Sequence, residues 1–324
     1  MPKVSLAHGN GGAASQELLG DLFLRYLSSP VLHCLEDSAL LEEHAGRLAF
    51  STDCYTNEPP FFPGGNIGTL AVHGTINNLA MRGAMPLALS LGVIIEEGFP
   101  LGDLEEIIRS VGLATELAEV AVVAGDTKVV PRGRMQGICL STSGIGLVAP
   151  GSEISGTDIE EGDVVIVSGN IGEHGLALRN QGGKLPACCA GEIGPMHFMI
   201  REIMENFPDA THALRDPTRG GLATSLVWLA SASAVCMEID RQAIPLCEGV
   251  RRFCARENIS PFYLASEGRC ILCCDPQYAE EVLALMRTIP IGANAGIIGR
   301  ISASPMGRVR LHEADGSISF LDAL

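Results

Sequence analysis

Lysine is nearly missing from this sequence. Of 22 basic residues only Lys3, Lys128 and Lys184 are lysines, and the other nineteen are arginines. An ammonium group inside a motif is therefore more informative here than in an average chain. Positive charge as a whole is short: against 38 acidic residues the net charge is −16. That balance argues against nucleic acid or an anionic membrane as the main partner, because both need a basic footprint. No run approaches the roughly 18 apolar residues of a membrane span, and the start, Met1 to His8, lacks the apolar stretch of a secretory signal. Aromatic residues make up only 5% of the chain, so a core built on 47% hydrophobic residues is mostly Ala, Val, Ile and Leu. Disorder, collagen and coiled coil are excluded on composition.

What is present suits a cytoplasmic α/β protein with reduced thiols. A length of 324 residues fits two domains. The seam rich in Gly, Ser and Pro from Ala149 to Asp158 places a boundary near 150–160, giving domains over 1–150 and 151–324. Helical spacing of Leu18, Leu19, Leu22, Phe23 and Tyr26 predicts a helix over 15–27. Strands are expected over 47–53, delivering Asp53 to its end, over 85–95 as a buried strand, and over 120–124, running into Gly125-Asp-Thr-Lys128. Asp103 and Glu106 resemble a capping box. After a strand over 163–169, Asn170 to Gly175 reads as a Gly-rich turn. Cys270 and Cys273 have CxxC spacing, but strand geometry sends i and i+3 to opposite faces, so the run reads as a buried strand. Cys188-Cys189 reads as loop.

Five polar clusters stand at the ends of apolar runs: His8-Gly-Asn-Gly-Gly12, Glu36-Asp-Ser38, Ser51-Thr-Asp53, Ala124-Gly-Asp-Thr-Lys128 and Arg215-Asp-Pro-Thr-Arg-Gly-Gly221. Gly-rich loops admit phosphate oxygens to backbone N–H groups. Carboxylates at separate strand ends suit Mg²⁺ bridging nucleotide phosphates. Any one cluster alone reads equally as a turn or a cap, and the Walker and dinucleotide patterns are both absent.

In this order the clusters resemble those of the HypE hydrogenase-maturation family, in the superfamily with aminoimidazole ribonucleotide synthetase, selenophosphate synthetase and thiamine monophosphate kinase. The likeness is densest in Pro63 to Ala80, Gly92 to Pro100, Ala124 to Val130, Asp216 to Thr224 and Ala265 to Gly268, and poor over 178–212. It implies a two-domain α/β and α+β fold of the aminoimidazole ribonucleotide synthetase type, whose N-terminal sheet dimerises across a two-fold axis. It also implies an ATP-dependent carbamoyl dehydratase that turns an S-carboxamide on a C-terminal Cys into a thiocyanate, the source of cyanide for [NiFe]-hydrogenase. By matching motif, Asp37, Asp53, Asp126 and Asp216 would hold Mg²⁺. Gly11, Gly12, Asn78 and Thr127 would join Asp37, Asp53 and Asp126 around ATP. Lys128 and Glu267 would flank the carboxamide as charge stabiliser and proton acceptor. A homodimer, the carbamoyltransferase HypF and the HypC–HypD iron–cyanide scaffold are the implied partners.

Two departures qualify the resemblance. The family closes on Pro-Arg-Ile-Cys, whereas this sequence ends Phe320-Leu-Asp-Ala-Leu324 and its last Cys is Cys274. The expectation is therefore that the tail has been cut or not recorded, or that this is a paralogue accepting a carrier or small molecule from outside. Asn78 stands where the family has Asp, keeping a carbonyl ligand but losing its charge. Two alternatives are a paralogue that phosphorylates a free amide or acid, and a non-catalytic nucleotide-binding scaffold. Selenophosphate synthetase is disfavoured because residues 4–33 contain neither Cys nor Lys.

Overall fold

The computed structural model describes residues 2–10, 12–34, 38–42, 44–56, 59–149, 151, 154–179 and 193–324. They form two units, Met1–Leu79 with Met85–Val148, and Ala80–Ala84 with Ala149–Leu324.

In the first unit, α1 (Ala13–Leu18) runs through a π turn at Leu19–Phe23 into α2 (Leu24–Tyr26), close to the helix expected over 15–27, and α3 (Pro30–His33) follows. Strand β1 (Leu48–Tyr55) and the short β2 (Phe61–Phe62) and β3 (Gly65–Asn66) precede α4 (Ile67–Ala80). Asn66 starts α4: its side-chain oxygen accepts from the Gly68 and Thr69 N–H groups, donors left orphaned in the first turn of a helix. Next come β4 (Ala84–Glu96), α5 (Leu101–Leu117), β5 (Ala121–Val130) and β6 (Ile138–Val148). The sheet order is β1-β6-β4-β5, with β1 antiparallel to β6 and β4 parallel to β5.

Alternation fixes the faces of this sheet. Leu89, Leu91, Val93 and Ile95 of β4 are buried, as are Ile138, Leu140 and Thr142 of β6, while the residues between them are not. Thr142 donates to the Ala71 carbonyl and shares a hydroxyl contact of 2.6 Å with Thr75, so its face is the one covered by α4. The other face is open and carries Leu48, Phe50 and Ile94, which are 59%, 69% and 40% exposed.

The second unit holds a seven-stranded sheet of order β13-β12-β9-β11-β7-β10-β8. In chain order it comprises β7 (Val164–Val167), α6 (Glu173–Arg179), α7 (His197–Asn206), β8 (Thr211–Arg215), α8 (Gly221–Ala232), β9 (Cys236–Asp240) and α9 (Glu248–Glu257). Then follow β10 (Ile271–Cys274), α10 (Ala279–Thr288), β11 (Gly296–Ser302), β12 (Arg308–His312) and β13 (Ile318–Leu321). Leu222, Leu226 and Leu229 of α8 pack on one face with Ile271 and Cys273. Met199, Ile203, Val282 and Met286 of α7 and α10 pack on the other with Cys270 and Leu272. Cys270 and Cys273 thus lie on opposite faces, as strand geometry requires. Burial drives the Cys270 thiol up to about 12 and raises that of Cys273 as well, so neither is a ready thiolate.

Several local expectations need correction. Strand β1 runs on to Tyr55, so Asp53 lies inside it and not at its end. Strand β4 is buried on one face only. Helix α5 begins at Leu101 with Pro100 as its N-cap, so Asp103 lies within the first turn and Glu106 pairs with Arg109 at 2.6 Å. The Gly125–Lys128 segment is strand, not a loop after one. The turn after β7 ends at Gly172, and Glu173 opens α6. Cys188 and Cys189 lie outside the described residues.

Candidate active site

Strand β5 presents the motif Gly125-Asp-Thr-Lys128 along an edge. Asp126 is level with Gly92 and Lys128 with Ile94, and partners in register share a face. Both side chains therefore belong to the open face and both are exposed, while Thr127 points the other way. The Asp126 carboxylate accepts the Thr127 N–H at 2.9 Å, which fixes its rotamer along the strand.

Asp53 sits differently. It is paired with Thr142, so it faces α4. One oxygen accepts from the Cys54 N–H at 2.9 Å and the other from the Tyr55 hydroxyl at 3.2 Å. That hydroxyl lies so near α4 that a Cβ on Gly74 would collide with it. Within one chain Asp53 and Asp126 are thus on opposite faces and opposite edges of a four-stranded sheet, about 14 Å apart at roughly 4.8 Å per strand. Their oxygens are of the type Mg²⁺ prefers, yet the sheet does not bring them to one ion. Among the described residues no three His, Cys, Asp or Glu side chains are gathered around a point that would hold a metal. Asn78 lies near the C-terminal end of α4, half-buried. Gly12 is the N-cap of α1, its N–H donating to the Asn10 side chain at 3.1 Å. Gly11 and Asp37 lie outside the described residues.

The Gly-rich N-terminal stretch rests on β5, where a Cβ on Gly9 would stand 2.6 Å from the Val129 nitrogen. Between them opens a cleft of about 430 Å³, lined by Leu18, Phe23 and Val122 and also by His8, Asp126 and Thr127. A larger hollow of about 660 Å³, lined by Arg25, Tyr26, Arg109 and Glu116, contains none of the motif residues. Of the two, only the cleft beside Asp126 is lined by candidate site residues.

In the second unit Asp216 follows β8 in the loop that opens α8. Gly220 and Gly221 both have left-handed backbones, φ 79° and 64°, and a Cβ on Gly221 would lie 2.5 Å from the Phe262 carbonyl oxygen. Glu267 is half-buried, in a loop tied to this one by the Ser266 N–H donating to the Pro217 carbonyl at 3.0 Å. Asp216 and Glu267 therefore share a loop cluster. Two residues on, Arg269 is buried and paired with Glu173 at 3.3 Å. Burial pushes the Glu173 carboxyl up, and Arg269 and Asn170 pull it part of the way back.

Sequence reasoning assigns no role to Tyr55, Ser266, Arg269 or Glu173. Tyr55 was within reach, because i and i+2 on a strand share a face. Nothing in sequence links Glu173 to a partner 96 positions away.

Comparison with known proteins shows which family the chain belongs to. The AIR synthase related family matches in two parts, its N-terminal domain over residues 35–148 and its C-terminal domain over 160–312. The hydrogenase expression/formation protein HupE of Azotobacter chroococcum mcd 1 is 42% identical over 323 residues, covering 99% of this chain and 94% of that protein. The carbamoyl dehydratase HypE of Azotobacter vinelandii is 41% identical over the same length. The chain belongs to the HypE family of carbamoyl dehydratases. A crystal structure of HypE in complex with ATP superimposes with a TM-score of 0.95 at 40% identity, covering 99% of this chain and 97% of that one. HypE in a HypE–HypF complex does so with a TM-score of 0.82 at 37% identity, covering 97% and 100%. HypE membership and the two-domain fold were both legible in the motifs. No helix among the described residues is long and apolar enough to cross a membrane.

Proposed function

We propose that this chain uses ATP to dehydrate a carbamoylated cysteine to a thiocyanate during [NiFe]-hydrogenase maturation. The observation that carries the reading is whole-length HypE likeness together with Asp126 and Lys128 on one exposed face of β5. An amide oxygen is a poor leaving group, and phosphate is a good one. Attack of the carboxamide oxygen on the γ-phosphorus of ATP releases ADP and leaves an imidoyl phosphate. Loss of both N–H protons, one as the imidoyl phosphate forms and one as its C–O bond breaks, gives S–C≡N and inorganic phosphate. Lys128 offsets negative charge on the transferring oxygen, and Glu267 accepts a nitrogen proton. The cleft beside Asp126 takes the nucleotide, with Gly11, Gly12, Asp37, Asn78 and Thr127 around it.

Mg²⁺, when bound, neutralises phosphate charge; Asp37, Asp53, Asp126 and Asp216 are its proposed ligands. Because Asp53 and Asp126 are separated within one chain, the reading needs a second copy. Two further features favour a two-fold dimer: the apolar open face with Leu48, Phe50 and Ile94, and strands β1 and β5, each an unpaired edge of the four-stranded sheet. A mixture of Asp53→Asn and Asp126→Asn proteins, each inactive alone, should recover part of the turnover by forming mixed dimers. No recovery despite subunit exchange would remove the shared site. HypF as the carbamoyl donor, HypC–HypD as the cyanide acceptor and a cytoplasmic setting complete the reading.

The test is intact-protein mass. The chain extended by a tail ending Pro-Arg-Ile-Cys and treated with HypF, carbamoyl phosphate and ATP should gain one carbamoyl and then lose one water. A carbamoyl adduct that persists with ATP present overturns the reading. Turnover of ATP with no carrier would favour the small-molecule paralogue, and ATP binding without turnover the scaffold.

A further inference from the structure

We propose that Arg269, held by Glu173, is a positioning residue that sets the place of Glu267. The inference rests on the reading of Glu267 as the proton acceptor. The guanidinium is buried and donates to four groups: the Asn170 carbonyl at 3.1 Å, the Gly268 carbonyl at 3.0 Å, the Ile291 carbonyl at 3.4 Å and the Glu173 carboxylate at 3.3 Å. Its partner carboxylate is just as hidden, with side-chain exposures of 9% and 8% for Arg269 and Glu173. An ion pair taken out of water is weak evidence for stability, since well-packed apolar residues commonly do as well. What an apolar pair could not do is hold carbonyls from three separate segments with one rigid fork.

The local backbone needs such a holder. Gly268 turns through a left-handed conformation, φ 63°, directly after Glu267. Gly169 leaves room for the guanidinium, because a Cβ there would lie 2.9 Å from Nε. On the other side of Glu267, the Ser266 hydroxyl accepts from the Gly172 N–H at 2.8 Å and the Ala265 carbonyl from the Gly175 N–H at 2.8 Å. The Ser266 N–H, bonded to the Pro217 carbonyl, anchors the same loop to the residue after Asp216. Both neighbours of Glu267 are therefore pinned while its own side chain stays half-exposed. Without the fork, the C-terminal half of the loop loses its ties to Asn170, Glu173 and Ile291 together.

A base displaced by about 1 Å can cost on the order of 100-fold in rate without affecting binding. Arg269→Lys, in the full chain carrying the carbamoylated Cys-ended tail, should lower the single-turnover dehydration rate at saturating ATP about 10- to 100-fold. The half-saturating ATP concentration should stay within about threefold, the limit for a change confined to the chemical step. The deciding readout is coupling: added to Glu267→Gln, Arg269→Lys should slow the residual rate little further, because its effect passes through Glu267. Losses that multiply would overturn the proposal, as would an unchanged rate for Arg269→Lys. Should Arg269→Lys fail to fold, Glu173→Gln tests the same pair, and a wild-type rate for it overturns the proposal equally. If Glu267→Gln itself dehydrates normally, the reading of Glu267 as base fails first. A dead Glu267→Gln beside a fully active Arg269→Lys sinks only the positioning role.

Discussion

Tyr55→Phe isolates one hydrogen bond at a proposed metal ligand. The ring is buried, at 8% exposure, and its hydroxyl donates to Asp53 across 3.2 Å. Outer groups that orient a ligating carboxylate hold it in the geometry the ion needs. A hydrogen bond to a charged acceptor is worth about 1.5–3 kcal/mol, and the length of this one places it near the lower figure. At 1.4 kcal/mol per decade, removing it should weaken Mg²⁺–ATP binding about tenfold. Stability should change little, since Asp53 is half-exposed and water replaces the lost donor, and the gap left beside Gly74 is one oxygen in size. Calorimetric titration with Mg²⁺–ATP measures the affinity, and thermal unfolding checks the fold. Unchanged affinity in Tyr55→Phe, with Asp53→Asn abolishing binding, would refute the orienting role. Unchanged affinity in both would remove Asp53 from the site.

Three other perturbations separate chemistry from fold. Lys128→Ala removes an exposed side chain, so it should unfold like wild type and bind ATP within about threefold of it, as surface substitutions away from special contacts do. It should nonetheless stall with the carbamoyl adduct intact, and normal dehydration by this variant would exclude Lys128 from the reaction. Gly221→Ala forces a Cβ into a left-handed residue beside the Phe262 and Leu264 carbonyl oxygens, and should cost about 2 kcal/mol or more. A melting temperature within a degree of wild type would contradict that strain. Burial raises the Glu238 carboxyl, but hydrogen bonds from His312, Ser302 and Arg310 outweigh it and hold the group below its ordinary value. A carboxyl depressed on folding contributes stability above its unfolded value, about pH 4, and loses it as pH falls through the folded value. Glu238→Gln should therefore lower the urea midpoint more at neutral pH than at acid pH; an equal loss at both would contradict the linkage.

The motifs carried family and fold because each keeps its residues at one strand end, one helix start or one loop. Register was beyond them. Gly125 and Asp126 are poor strand formers, so the sequence suggested that the strand stops at Ala124. The chain continues to Val130 because β5 is an edge that leaves Asp126 and Lys128 exposed while Val129 goes under the sheet. Which face each residue takes also depends on the irregularity at Leu89/Ser90, which no spacing rule could supply. The start of α5 differs for a local reason: the acidic pair Asp103 and Glu106 suggests an N-cap three residues past the one at Pro100. The Glu173–Arg269 pair was hidden because it joins two segments that meet only in the folded sheet.

Oxygen bookkeeping tests the central claim most directly. With ¹⁸O in the carboxamide of the carbamoylated Cys, phosphorylation of that oxygen must deliver one ¹⁸O to each inorganic phosphate released as thiocyanate forms. Phosphate mass spectrometry after a single turnover reads the outcome. One labelled oxygen per phosphate is the predicted result. Unlabelled phosphate alongside thiocyanate would contradict an ATP-phosphorylated carboxamide.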